Sequence, residues 1–275
     1  MKKRKFDAIT ESNICEEYIK GMSTIKLAEK YNCKWSETIL SVLKRHNVPR
    51  RDRSNQRRVY TINENYFDEV DTQEKSYFLG LLYADGGYVR DSISISLQEK
   101  DAYLLQKMND NIGSNKPLRY YTNNWDCRYA KLSISNKHLV SKLHDLGITP
   151  RKSFKIRFPK LKSHLIKDFI RGFFDGDGCL CIQKKSNKGL VTITSNESFC
   201  NDMKKIICEE IKINCQVYKI KNKTSNRVTI SGNQQILKFC DWIYCDSIVH
   251  MDRKFQKYID LKKKPVSCTK QQQES

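Results

Sequence analysis

The chain has 275 residues, with 51 Lys and Arg against 31 Asp and Glu and a formal net charge of +20. That length admits two domains or one large domain with an appendage, and that charge points to a polyanionic partner, nucleic acid first. No apolar run approaches the ~20 residues that cross a bilayer, and Met1 to Lys5 leads into no apolar signal core, so the sequence reads as an intracellular protein with no membrane partner.

Residues 1–58 read as a small all-α module ending in a basic linker. Three short helices are expected: Glu11 to Lys20 with Ile14, Tyr18 and Ile19 inward, Thr24 to Tyr31 after a Ser23 cap with Ile25, Leu27 and Ala28 inward, and Trp35 to His46 with Ile39, Leu40, Val42 and Leu43 inward. A three-residue turn separates the second helix from the third, which resembles the helix-turn-helix modules of resolvases and phage regulators. In that resemblance the third helix reads a major groove, and it presents Lys34, Ser36, Glu37, Ser41 and Lys44. The alternative is a packing or oligomerisation unit. Pro49 to Arg58 follows without an apolar residue except Pro49 itself, and Arg50, Arg51, Arg57 and Arg58 make it both a solvated linker and a candidate phosphate or minor-groove arm.

Residues 59–160 and 161–264 then repeat one order of elements, and 265–275 form a polar tail. Phe78-Leu-Gly-Leu-Leu-Tyr-Ala-Asp-Gly86 and Ile170-Arg-Gly-Phe-Phe-Asp-Gly-Asp-Gly178 are each an apolar helical run closing on Asp-Gly. Gly80 with Ala84, and Gly172 with Gly176, sit at i and i+4, a stripe where two helix backbones can approach. Asp85 and Asp177 fall at the helix ends, where the dipole disfavours a carboxylate and a bound cation would relieve it. The glycines after them are expected to stop the helices.

After each motif the order is strand, strand, helix, strand, strand, helix. Ser92 to Leu97 alternates Ile93, Ile95 and Leu97 with serines, and Lys131 to Ser135 and Arg227 to Ser231 alternate likewise. One face is core; the other is polar and suits a strand-based reader of duplex DNA, or else a plain solvated sheet. The polar set comprises Arg90, Ser94, Lys131, Ser133, Gln183, Lys185, Thr192, Lys221, Arg227 and Thr229, with the register of the first hairpin blurred by Gly86 and Gly87. Eleven cysteines in scattered positions, with no pair of CxxC units, read as free thiols, and the five histidines form no ligand cluster.

The doubled motif with matched downstream order resembles the LAGLIDADG homing endonucleases in their single-chain, two-motif form. The resemblance implies an α+β fold of two pseudo-symmetric αββαββ repeats forming a saddle of antiparallel sheets, with the motif helices packed between them. It implies that Asp85 and Asp177, with backbone carbonyls at Ala84 and Gly176, hold Mg2+ or another divalent cation such as Mn2+. It also implies peripheral lysines, which map to Lys152 and Lys254 in the basic elements closing each repeat. Tyr83 departs from the family's usual Asp two positions before the motif aspartate, whereas Asp175 keeps it; a helix-end role of little consequence is expected there. The implied activity is double-strand cleavage of a long DNA target by a monomer. A non-cleaving DNA-binding regulator and an RNA splicing maturase are the alternatives, so RNA is a further candidate partner.

Overall fold

In the computed structural model the described residues are 5–50, 60–89, 92–183 and 188–263. The chain divides into two compact units, Met1–Val59 and Tyr60–Ser275. Arg51, Arg57, Arg58, Arg90, Lys185 and the tail lie outside the described residues.

The smaller unit holds α1 (Ala8–Ile19), α2 (Thr24–Lys30) and α3 (Ser36–Arg45). Asp7 accepts from Thr10 N at 2.7 Å and Ser23 from Lys26 N at 3.2 Å, so two of its helices start on side-chain caps. Ile14, Tyr18, Leu27, Ala28, Ile39, Val42 and Leu43 form its core together with Cys15. Ile19 and Ile25, expected inside, are 70% and 64% exposed. Each lies one position off the stripe its helix buries: α1 turns Glu11, Ile14, Cys15 and Tyr18 inward, and α2 turns Leu27 and Ala28 inward. Glu11 is buried and bridges α1 to α3, pairing with Arg45 and with His46 Nε2 at 3.0 Å.

The larger unit is built on two helices whose glycines leave no space between them. They are α4 (Gln73–Asp85) and α7 (Ile166–Asp177). A Cβ added at Gly80 would overlap the Phe169 carbonyl oxygen, and one at Gly172 would overlap that of Tyr77. Backbone therefore meets backbone, and Ser76 Oγ donates across the junction to Leu165 O at 2.7 Å. Both helices are buried all round over most of their length, and α4 accordingly carries no amphipathic pattern.

Each motif helix is followed by the same set of elements. The first repeat continues with β1 (Gly86–Val89), β2 (Ser92–Gln98), α5 (Ala102–Asn111), β3 (Arg119–Thr122), β4 (Arg128–Ile134) and α6 (Lys137–Asp145). The second continues with β5 (Gly178–Ile182), β6 (Gly189–Ser195), α8 (Glu197–Ile211), β7 (Gln216–Lys219), β8 (Asn226–Ser231), α9 (Asn233–Tyr244) and a further helix, α10 (Asp252–Lys262). The sheets are antiparallel, ordered β1-β2-β4-β3 and β5-β6-β8-β7. This is the two-repeat α+β architecture the doubled motif implies.

Alternation decides which face of each sheet is covered. Ile93, Ile95, Leu97, Leu132 and Ile134 are buried in one sheet and Leu180, Val191, Ile193, Val228 and Ile230 in the other, all in one continuous core. The register pairs Gly87 with Ser94 and Ser94 with Ser133, which fixes the hairpin that Gly86 and Gly87 left open in the sequence. Among the described residues no helix is long and apolar enough to cross a membrane.

Candidate active site

The two motif helices end side by side. A Cβ at Gly176 would stand 2.8 Å from Asp85 Oδ2 and overlap the Ala84 methyl, so the end of α7 lies directly against the carboxylate that ends α4. Both carboxylates reach the surface. Burial by the surrounding protein, then the charge of Asp177, raises the Asp85 carboxyl to about 6, against the opposing pull of Lys152, Lys254 and Arg253. Burial raises Asp177 as well, opposed by Lys152 and Lys254. Two carboxylates sharing one cleft at the negative ends of two helices carry charge at a cost.

The glycines following them do not act as left-handed stops. Gly86 has φ −70° and Gly178 φ −98°, both open to any residue, and each helix passes straight into a strand. What requires glycine is proximity. A Cβ at Gly86 would overlap Leu82 O, and one at Gly178 would meet Phe174 O at 2.5 Å.

Lys152 and Lys254 are 6% and 4% exposed, so neither is a plain surface lysine. Lys254 Nζ donates to the carbonyls of Phe174 at 2.6 Å, Asp175 at 2.8 Å and Gly178 at 2.5 Å. Lys152 Nζ donates to the Tyr83 carbonyl and to Ala84 O at 2.8 Å. Each lysine satisfies the orphan carbonyls at the end of its own repeat's motif helix and brings a positive charge where the dipole is negative. Burial pulls Lys254 down to about 8 and Lys152 in the same direction, with the nearby aspartates opposing.

The position two before each motif aspartate does more than end a helix. Asp175 is fully buried and accepts from Tyr77 OH and from Met251 N, each at 2.8 Å, so it ties α7 to α4 and to the start of α10. Tyr83, in the corresponding place, donates its hydroxyl to Leu146 O beyond α6. One position thus carries an acceptor in one repeat and a donor in the other. Burial raises the Asp175 carboxyl to about 6, with Lys254 and the two hydrogen bonds pulling it back.

Among the described residues no three His, Cys, Asp or Glu side chains converge as a metal cluster. What the cleft presents is two carboxylates and helix-end carbonyls, the oxygen donor set of a hard divalent cation such as Mg2+. Ala84 O already accepts from Lys152, so only its second lone pair is open to a cation.

The polar residues singled out in the sequence lie in register. Ser94 faces Ser133 and Ser96 faces Lys131 across β2 and β4, while Thr192 faces Thr229 and Thr194 faces Arg227 across β6 and β8. Arg227 is exposed on its strand, and Ser94, Lys131, Ser133, Thr192 and Thr229 are half-buried on theirs. Gln183 and Lys221 are exposed just beyond β5 and β7. In the smaller unit Lys34 stands over the ring of exposed Trp35 at 5.4 Å, Ser36 opens α3, and Arg50 is exposed.

Residues 165–244 match the family described as the LAGLIDADG-like domain. The match lies within the second repeat. The first repeat has the same strand order and the same helix-to-strand junction at Asp-Gly, so the chain carries one architecture twice. Among solved structures, the I-LtrWI LAGLIDADG homing endonuclease bound to target DNA is similar at 16% identity and TM-score 0.46, over 73% of this chain and 89% of that one. The I-SmaMI LAGLIDADG homing endonuclease bound to cleaved DNA aligns at 14% identity and TM-score 0.47, over 68% and 87%. Full-length DUF199/WhiA from Thermatoga maritima aligns at 17% identity and TM-score 0.46, over 75% and 67%. No curated protein sequence matches the chain.

Sequence reasoning missed Asp101, Tyr77 and Asn196, all of which act in the same region through partners distant in sequence. It also passed over Arg253. The signal there was visible, since Arg151-Lys152 and Arg253-Lys254 repeat the same pair.

Proposed function

We propose that this protein is a site-specific endonuclease that hydrolyses both strands of duplex DNA with a divalent cation held by Asp85 and Asp177. One observation carries the reading. The LAGLIDADG helix pair brings both motif aspartates to a single cleft, with Gly176 against the Asp85 carboxylate and a buried lysine behind each helix end. A chain using the fold only to bind a polyanion gains nothing from two carboxylates held at such a cost in the part meant to meet phosphate.

Asp85 and Asp177, with the Ala84 and Gly176 carbonyls, are the residues that would hold Mg2+ or Mn2+. When bound, such an ion lowers the pKa of a coordinated water and offsets charge on the leaving oxygen. The protein's own contribution is positional. Lys152 and Lys254 hold the two helix ends and keep positive charge beside the cleft, where phosphate charge is to be met. The half-exposed hydroxyl, Lys and Arg rows of β2, β4, β6 and β8 supply backbone and base-edge contacts, with Gln183, Lys221 and Arg227 at their margins.

We further propose that α2 and α3 of the smaller unit add a helix-turn-helix contact to the same DNA, through Lys34, Ser36 and the arginines that follow Pro49. One chain already holds both motifs, so the working species is a monomer inside the cell.

Incubation of the full chain with a randomised duplex library in Mg2+, followed by sequencing of the cut ends, tests this reading. Discrete cuts at one long motif are expected. Tight binding to selected duplexes with no cut in Mg2+ or Mn2+ returns the protein to the regulator alternative.

A further inference from the structure

Each lysine that closes one motif helix lies on a segment held by the other repeat. Asp101, just after β2 in the first repeat, is buried and accepts Arg253 Nε on both oxygens, at 3.2 and 3.0 Å. Two residues on, Tyr103 OH accepts from Asp252 N at 2.6 Å and donates to His250 O at 3.4 Å. These three interactions fix the second repeat's chain immediately ahead of Lys254. The mirror arrangement runs the other way. Asn196, just after β6 in the second repeat, donates Nδ2 to Ile156 O at 3.0 Å and to Ser153 O at 3.5 Å, on the residues that follow Lys152.

A buried ammonium is tolerated only where its carbonyl partners are in reach, and a lysine side chain loses much rotamer freedom to stay there. The backbone that carries the lysine must therefore be held. The helix it caps holds that backbone only in part: in the second repeat Asp175 accepts from Met251 N at 2.8 Å and Arg171 donates to Val249 O at 2.9 Å, both ahead of Lys254. We propose that Asp101 and Asn196 are cross-repeat positioning residues, each fixing the lysine segment of the opposite repeat, so that neither half-site is set by its own repeat alone. The bond at Asp101 is charge-assisted and desolvated on the carboxylate side, whereas that at Asn196 is neutral, so breaking the Asp101 pair leaves the costlier unpaired group. The catalytic part of this inference rests on the endonuclease reading; the mechanical part does not.

Two variants separate the braces. Asp101→Ala removes the acceptor of Arg253. Asn196→Asp removes the Nδ2 donor but keeps the oxygen that caps α8 by accepting from Phe199 N at 2.9 Å. Should Asp101→Ala fail to fold, Arg253→Ala breaks the same pair from its exposed side. Amide hydrogen exchange of the full-length protein, without DNA or metal, is measured alongside strand-resolved nicking of a doubly labelled target in Mg2+. For Asp101→Ala, faster exchange confined to residues 250–257 is expected, with one strand slowed roughly tenfold more than the other and Asp101→Glu recovering part of the loss. For Asn196→Asp, the exchange change moves to 150–157 and the opposite strand is the one slowed. Equal slowing of both strands, or exchange that rises in both segments or in neither, overturns the proposal. If the wild-type protein does not cut, the endonuclease reading fails on its own, and the exchange pattern alone decides whether the cross-bracing exists.

Discussion

Gly176 and Asp85 are in direct apposition: a Cβ at position 176 would stand 2.8 Å from Asp85 Oδ2 and overlap the Ala84 side chain. Replacing this glycine by alanine forces the helix ends apart where the two carboxylates meet. Overpacking of this kind typically costs ~1 to 3 kcal/mol. Gly176→Ala should lower the melting temperature and abolish cleavage in Mg2+, while DNA affinity, which the proposed function assigns to the sheet faces, should fall little. A variant that cuts at the wild-type rate would mean that the helix ends do not set the site.

The Tyr77–Asp175 hydrogen bond makes a prediction with a definite pH dependence. Asp175 has a carboxyl raised to about 6, so its ionised form is the expensive one, and it is present above that pH. A carboxylate with a raised folded pKa contributes stability that is complete below its unfolded value and is lost as the pH rises through the folded one. Tyr77→Phe removes a donor to the charged form and should cost about 1 to 3 kcal/mol at pH 7.5. The cost should shrink towards pH 5, where the carboxyl is protonated. Melts at the two pH values that show an equal loss would contradict this.

Sequence and structure part company at this point for a physical reason. The glycine stripe, the strand alternation and the doubled order were legible because each is a local pattern with a fixed period, and Gly80, Gly172, Ile93, Ile95, Val228 and Ile230 lie where that pattern puts them. Asp175 and Tyr83 were read as inconsequential because their partners, Tyr77, Met251 and Leu146, come from elements distant in sequence. The repeat singled out Lys152 and Lys254, yet nothing local shows that a lysine will be buried against carbonyls. Ile19 and Ile25 failed because an apolar residue one position off the buried stripe looks, in the sequence, like part of it.

Divalent cation should stabilise the protein where the carboxylates are charged. At pH 7.5 Asp85 is ionised beside Asp177, and a cation bound by the folded state adds roughly 2.7 kcal/mol at a hundredfold excess over its Kd. Near pH 5 Asp85, with its carboxyl raised to about 6, is largely protonated, and the gain should fade. Melting curves with Mg2+ and with chelator at the two pH values check this. Asp85→Asn should remove most of the Mg2+ effect while raising the melting temperature of the metal-free protein at pH 7.5. An Mg2+ effect of the same size in that variant would place the cation elsewhere.

Deleting residues 1–58 tests the division of labour. The larger unit retains its own core, so the truncated protein should fold and still cut. If the three helices and the arginine linker neutralise phosphates, the slope of log affinity against log salt should flatten by roughly 0.9 for every phosphate they no longer reach. A truncated protein with the full-length salt slope would make the smaller unit a packing or partner-binding element.

The most direct test is the comparison of Asp85→Asn and Asp177→Asn with the wild-type protein, each assayed for binding and for double-strand cleavage of the selected target in Mg2+. Both variants should retain affinity within a few-fold, or gain it as a carboxylate near phosphate is neutralised, and neither should yield a double-strand cut. Double-strand cleavage by either variant at close to the wild-type rate would contradict the assignment of the two motif aspartates as the metal-holding pair.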